Sequence, residues 1–213
     1  MADRAAEKRA AAEAAAALVE DGSTVGLGTG STVAYLLPAL AARGLTLRCV
    51  STSVATETSA RALGLAVEPF ERLVRLDIAI DGADQVDPDG WLIKGGGGAH
   101  TREKVVAAAA DRFVVIASSD KVVDALTPPV PLELLAFGIP ATLSALGHSE
   151  LRHVPLSPDG GAIADYRGEV GDPAELAARL SATPGVIDHG LFPPALVHDV
   201  LIARGDEIEH RQF

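Results

Sequence analysis

Four short apolar runs, at residues 24–27, 45–50, 76–80 and 113–117, alternate along this chain with segments of helical periodicity. That alternation constrains the fold more than any single motif. Mostly apolar runs of this length suit strands buried on both faces, and the intervening helices supply the crossovers a parallel sheet requires. Helices are expected over 3–20, from Val33 onward, over 55–63 and over 101–110. In the second of these, Val33, Leu36, Leu37 and Leu40 fall at i, i+3, i+4 and i+7, and Pro38 is expected to kink or shorten the helix. After Leu126 the pattern changes. T-P-P-V-P-L-E-L-L is dense in proline, and S-P-D-G-G further on suits a hairpin turn. The expected architecture is α/β: a mostly parallel sheet with helices on both faces, formed by residues 1–127 and 198–213. A small α+β domain of ferredoxin-like type is expected over 128–197.

Composition narrows the function classes. The net charge of −11 argues against nucleic acid, which needs a clustered basic surface. It also means that any anion site must rest on local cations and backbone amides rather than on the global field. Cys49, the single cysteine, excludes an internal disulfide and suits a reducing cytoplasm. Its strand-like context, L-T-L-R-C-V, marks a small buried hydrophobe rather than a nucleophile. No apolar run approaches the roughly 18 residues that span a bilayer, so no membrane association is expected. The six histidines lack metal-ligand spacing, and no G-x-S-x-G elbow occurs.

Chemistry-bearing residues gather where apolar runs end. G-L-G-T-G-S-T at 26–32 follows a strand and opens a helix, so its amides and hydroxyls can cradle an anion. It is neither a dinucleotide fingerprint nor a Walker A loop, and an ordinary turn with Ser31 as N-cap is the plain alternative. Asp81 and Asp84 close the apolar L-D-I-A-I run. A close carboxylate pair can hold different protonation states and accept sugar hydroxyls, or can simply cap a turn. Asp87, Asp89 and Gly90 imitate part of a calcium loop. The twelfth position is Gly96, where a bidentate Glu is needed, so these three are expected to form a solvated turn. Lys94 closes W-L-I and leads into Gly95, Gly96, Gly97 and Gly98, an arrangement suited to an oxyanion or phosphate. Glu103 falls in the first turn of the next helix, where a dipole-stabilising role is the plain alternative. Of 18 basic residues only Lys8, Lys94, Lys104 and Lys121 are lysine, which hints that these sites want a compact ammonium rather than a guanidinium fork.

The order and spacing of G-L-G-T-G-S-T, S-T-S, D-G-A-D, I-K-G-G-G-G-A, T-R-E-K, A-S-S-D-K, P-V-P-L-E and P-G-V-I-D-H-G-L-F resemble the type A ribose-5-phosphate isomerases. The resemblance is strongest over residues 24–133. It implies interconversion of D-ribose 5-phosphate and D-ribulose 5-phosphate in the pentose phosphate pathway, with no metal, no organic cofactor, and a homodimer or homotetramer. By motif, Glu103 becomes the general base, with Asp81, Asp84 and Lys94 also assigned to catalysis. Thr29, Gly30, Ser31 and Thr32 form one substrate loop, Asp81, Gly82, Ala83 and Asp84 a second, and Lys94, Gly95, Gly96 and Gly97 a third. Lys8 and Lys121 are further substrate contacts. His100 departs from the pattern: it stands where the family usually has an apolar residue, three before the base, and could tune Glu103. Residues 140–182 match weakly. Two rival classes are a sugar-phosphate sensor domain, for which no DNA-binding segment fits before residue 22, and a CoA-transferase-like enzyme with a glutamate nucleophile.

Overall fold

The computed structural model describes residues 3–205 and 207–213. In chain order its helices are α1 (Arg4–Ala17), α2 (Val33–Ala42), α3 (Val54–Ala62), α4 (His100–Ala108), α5 (Ile139–Leu146) and α6 (Pro173–Ser181). Its strands are β1 (Thr24–Leu27), β2 (Arg48–Ser51), β3 (Ile78–Gly82), β4 (Gln85–Val86), β5 (Leu92–Ile93), β6 (Phe113–Ser118), β7 (Val130–Leu134), β8 (Ser149–Leu151), β9 (Ala162–Tyr166), β10 (Val186–His189), β11 (Leu191–Phe192), β12 (Asp199–Arg204) and β13 (Glu207–Gln212). The chain divides into two compact units. The first comprises Met1–Ala83, Arg102–Val122 and Pro194–Phe213; the second comprises Asp84–Thr101 and Val123–Pro193. Residues 84–101 thus cluster with the second unit, whereas the sequence pattern groups them with the first.

In the first unit six strands run in the order β13-β12-β6-β3-β1-β2, parallel except for β13. The period-two alternation of strand side chains sets the core. Val25, Leu27, Ile78, Ile80, Val114 and Ile116 pack with α1 and α2. Gly26 points the other way, and a Cβ there would lie 2.5 Å from Val106 of α4, so a helix covers that face closely. Helix α1 starts because Asp3 accepts from the amides of Ala5 and Ala6, at 3.0 and 3.3 Å. Its buried face is Ala11, Ala12, Ala15 and Ala16, small enough for close packing. Pro38 does not end α2, which runs on to Ala42. One lost backbone bond is outweighed by burial of Leu36, Leu37 and Leu40 on the same helix.

The chain passes from β1 to β2 on one side, then returns to β3 on the other side of β1. This is a topological switch point. In open α/β sheets ligands bind outside the carboxyl ends of the strands at such a point. Here those ends carry Gly28–Thr32 after β1 and Asp81 at the end of β3.

The second unit contains the antiparallel sheet β10-β7-β9-β8 with α5 and α6 in the connections. The sequence β7-α5-β8-β9-α6-β10 is the expected split βαβ, ferredoxin-like arrangement. The S-P-D-G-G turn closes the β8–β9 hairpin, with the Ser157 amide donating to the Gly161 carbonyl at 2.8 Å. A three-stranded sheet, β11-β5-β4, completes the unit. Among the described residues no helix is long and apolar enough to cross a membrane.

Candidate active site

In the first unit, the loop after β1 is built around Asp81. This side chain is buried, and its Oδ1 accepts from the amides of Thr29 at 3.0 Å and Gly82 at 2.7 Å. Gly28 must be glycine, because a Cβ there would sit 2.0 Å from the Asp81 carboxyl carbon. The Thr29 hydroxyl lies 2.7 Å from that of Thr52, itself buried after β2. Gly30 adopts φ of +118°, open to glycine and strained for other residues. Helix α2 then begins with Thr32 as N-cap, without a side-chain cap hydrogen bond. Ser31 therefore does not cap the helix as the plain alternative supposed. Its hydroxyl accepts instead from the Lys8 ammonium at 2.9 Å. The amides of Ala34 and Tyr35 donate to the carbonyls of Gly30 and Thr32, each at 3.0 Å, so the loop folds tightly onto the helix start. A helix N-terminus without a side-chain cap and with a lysine at its mouth suits an anion.

Lys8 and Lys121 share a support that the sequence reading missed. Glu7 is buried, and its carboxylate accepts from the amide and hydroxyl of Ser119 at 2.9–3.0 Å and from the Gly205 amide at 3.0 Å. The Gly205 amide bond leads in holding this carboxyl below its usual range, against the opposing pull of burial. Glu7 adjoins Lys8, and Ser119 opens the short 3-10 turn that ends at Lys121. The adjacency of Glu7 to Lys8 was the available signal.

Glu103 lies in the first turn of α4 and is 5% exposed. A carboxylate largely removed from water on a helix that follows a glycine loop fits a proton-transfer role better than a solvated dipole-stabilising one.

In the second unit, Lys94 is 2% exposed, and its ammonium lies 5.4 Å from the Phe192 ring centroid, a cation–π distance. Its amide donates to the Gly190 carbonyl at 2.9 Å. Gly190 and Phe192 belong to the D-H-G-L-F motif, which explains why that distant segment accompanies the lysine. The exposed Asp84 accepts from the Gly96 amide at 2.8 Å. Asp81 and Asp84 are therefore each engaged by backbone amides of a different glycine loop. Gly95, at φ +100°, faces His100; a Cβ there would approach the imidazole Nδ1 to 2.6 Å. His100 is fully buried at the start of α4. Arg152, absent from the sequence candidates, donates from Nη1 to the carbonyls of Gly95 and Gly96, at 3.2 and 2.9 Å.

Two further expectations meet the structure here. Asp87 does form a turn, accepting from the amides of Asp89 and Trp91, but it is buried rather than solvated, and burial raises its carboxyl above the usual range. Cys49 is buried in β2, and desolvation pushes its thiol up to about 11, as expected of an inert side chain.

A family model described as ribose 5-phosphate isomerase A (phosphoriboisomerase A) matches residues 48–207. A model for the DeoR C terminal sensor domain matches residues 3–67. Ribose-5-phosphate isomerase A of Sphingopyxis alaskensis is 43% identical over 219 residues, spanning 97% of this chain and 96% of that protein. The protein of the same name from Methylorubrum extorquens is 47% identical over 205 residues, 87% of each chain. The crystal structure of ribose 5 phosphate isomerase A from Neisseria gonorrhoeae matches with a TM-score of 0.95 at 30% identity, covering 100% of this chain and 98% of that one. The match over nearly the full length, in sequence and in fold, accounts for the two glycine loops, D-G-A-D and T-R-E-K together. The chain belongs to the ribose 5-phosphate isomerase A family.

Proposed function

We propose that Glu103 is the base that moves a proton between adjacent sugar carbons as this enzyme interconverts D-ribose 5-phosphate and D-ribulose 5-phosphate. The aldose-ketose isomerase activity follows from family membership. The observation that carries the residue assignment is the burial of Glu103 in the first turn of a helix preceded by four glycines.

The reaction passes through an enediolate. One carboxylate can serve both carbons by taking the proton from one and returning it to the other, while nearby donors stabilise the developing oxyanion. Lys94 suits the donor role, as a buried ammonium in a glycine-rich setting. The Gly96 amide already donates to Asp84, which places more of that task on Lys94. Asp81 and Asp84 shape the two loops, and either could assist opening of the sugar ring. The phosphate is assigned to Thr29–Thr32 with Lys8 and Lys121, since the start of α2 lacks a side-chain cap and Lys8 already reaches Ser31. Binding energy at that end aligns the reacting end. The enzyme is further assigned to the cytoplasm as a homodimer or homotetramer, in keeping with the family resemblance.

Glu103→Gln should lower kcat roughly 100- to 10,000-fold, the usual worth of a positioned base, while ribose 5-phosphate binding survives. The assay follows ribulose 5-phosphate appearing from ribose 5-phosphate in the presence of a chelator, with binding measured by calorimetry. Near-normal turnover in the variant would remove Glu103 from the mechanism. Failure of the wild type to isomerise the sugar would favour a sensor or transferase role instead.

A further inference from the structure

Four consecutive glycines are costly to order, and no side chain of their own pins them. In the second unit, the loop after Lys94 is gripped through its backbone. Asp84 accepts from the Gly96 amide, and Arg152 donates from Nη1 to the carbonyls of Gly95 and Gly96. Gly96 is thus held on both its amide and its carbonyl side. Arg152 is itself fixed. Its Nε and Nη2 donate to the two oxygens of Asp165 on β9, at 2.9 and 2.6 Å. Its amide donates to the Ile163 carbonyl at 2.8 Å, and its side chain is 18% exposed. A bidentate carboxylate partner locks the guanidinium plane, which leaves Nη1 aimed at the glycine carbonyls. A lysine ammonium has no such fork and could not engage Asp165 in two bonds while reaching both carbonyls.

We infer that Arg152, oriented by Asp165, is a positioning residue that fixes the Gly95 and Gly96 peptides and thereby the placement of Lys94. The inference rests on the assignment of Lys94 as the oxyanion donor. Arg152 has no proton-transfer role of its own. Its effect is geometric, and a displacement of about 1 Å in a catalytic group costs on the order of 100-fold in rate.

The test compares Arg152→Lys, Arg152→Ala, Asp165→Asn and Lys94→Ala in the isomerase assay, with the folded fraction of each measured by circular dichroism. The Arg152 and Asp165 variants should lose about 10- to 100-fold in kcat per folded molecule, with KM changed far less. Guanidinium ion, added below its denaturing range, should restore part of the rate of Arg152→Ala and none of that of Lys94→Ala. Should Arg152→Ala fail to fold, the kcat of Arg152→Lys and Asp165→Asn decides. Wild-type kcat per folded molecule in those variants, with Lys94→Ala crippled, would overturn the positioning role alone. A normal rate in Lys94→Ala would instead overturn the assignment of Lys94, and the inference with it.

Discussion

The two glycine loops solve one problem in different ways. The first follows β1, a four-residue strand flanked on both sides by parallel neighbours, β2 and β3. The sheet already fixes where that strand ends, and the loop leans on the adjacent strand through Asp81, with Thr52 beside it. The second follows β5, a two-residue strand with two-residue pairings to β4 and β11. So little sheet cannot fix a loop of four glycines. Side chains take over, with Asp84 on the amide side and Arg152 on the carbonyl side. Loop order thus comes from strand pairing together with one buried carboxylate on the neighbouring strand in the first unit, and from charged side chains in place of extended strand pairing in the second. The glycines follow the same division. Gly28 is required because Asp81 fills the space of a Cβ, at 2.0 Å, whereas a Cβ at Gly96 would first meet the exposed Asp84 carboxylate, at 3.0 Å.

The comparison breaks if the second loop has no chemical task. Lys94→Arg keeps the charge but replaces a compact ammonium with a planar fork. In a position 2% exposed beside Phe192, the larger group should displace the donor and lower kcat on the order of 100- to 1,000-fold, as loss of an oxyanion donor does. Steady-state kinetics on ribose 5-phosphate checks this. An unaffected rate would show that the position needs only positive charge.

The next largest effect separates the loops by stability. Gly28→Ala places a methyl 2.0 Å from the Asp81 carboxyl carbon and 2.5 Å from its Cβ. Both atoms belong to a residue of β3, so relief requires strand movement. The expected cost is about 1–3 kcal/mol, that of overpacking a filled site, read as a lower urea midpoint. An unchanged midpoint would mean that the first loop does not depend on Asp81.

What the sequence could reveal follows the same line. The parallel sheet was legible because its strands lie in short, mostly apolar runs and because Val33, Leu36, Leu37 and Leu40 declare a helix by spacing alone. β13 was not, since E-I-E-H-R-Q is an edge strand with five of six residues polar or charged, and its pairing with β12 supplies the order. Asp81 and Lys94 stood out as polar groups at the ends of apolar segments, whereas Glu103, in the first turn of a helix, was singled out only through its T-R-E-K motif. Arg152 acts on residues 56 and 57 positions away, and nothing local in E-L-R-H distinguishes it from a surface arginine. Thr52 and Glu7 likewise matter through partners that only folding brings near. Asp87 misled for the opposite reason. An acidic, proline- and glycine-containing turn reads as solvated, yet the fold buries its first carboxylate against the amides it caps.

The smallest effect on stability carries the sharpest test of the second loop. Gly97 is exposed, a Cβ there would meet nothing within 4 Å, and its φ is not in the left-handed range that favours glycine. The fold of this chain therefore gives no reason for glycine at that position, in contrast to Gly28 and Gly95. On the proposed assignment of Gly97 to a substrate loop, the reason is close approach of the backbone to substrate, because a methyl would then meet the ligand rather than the protein. Gly97→Ala should change unfolding free energy by no more than about 0.5 kcal/mol, the range of an ordinary surface substitution, while raising KM for ribose 5-phosphate or lowering kcat. Chemical denaturation and steady-state kinetics on the same preparation separate the two readouts. If both stay at wild-type values, the third glycine of the loop faces solvent in the working enzyme, and the substrate contact ends at Gly96.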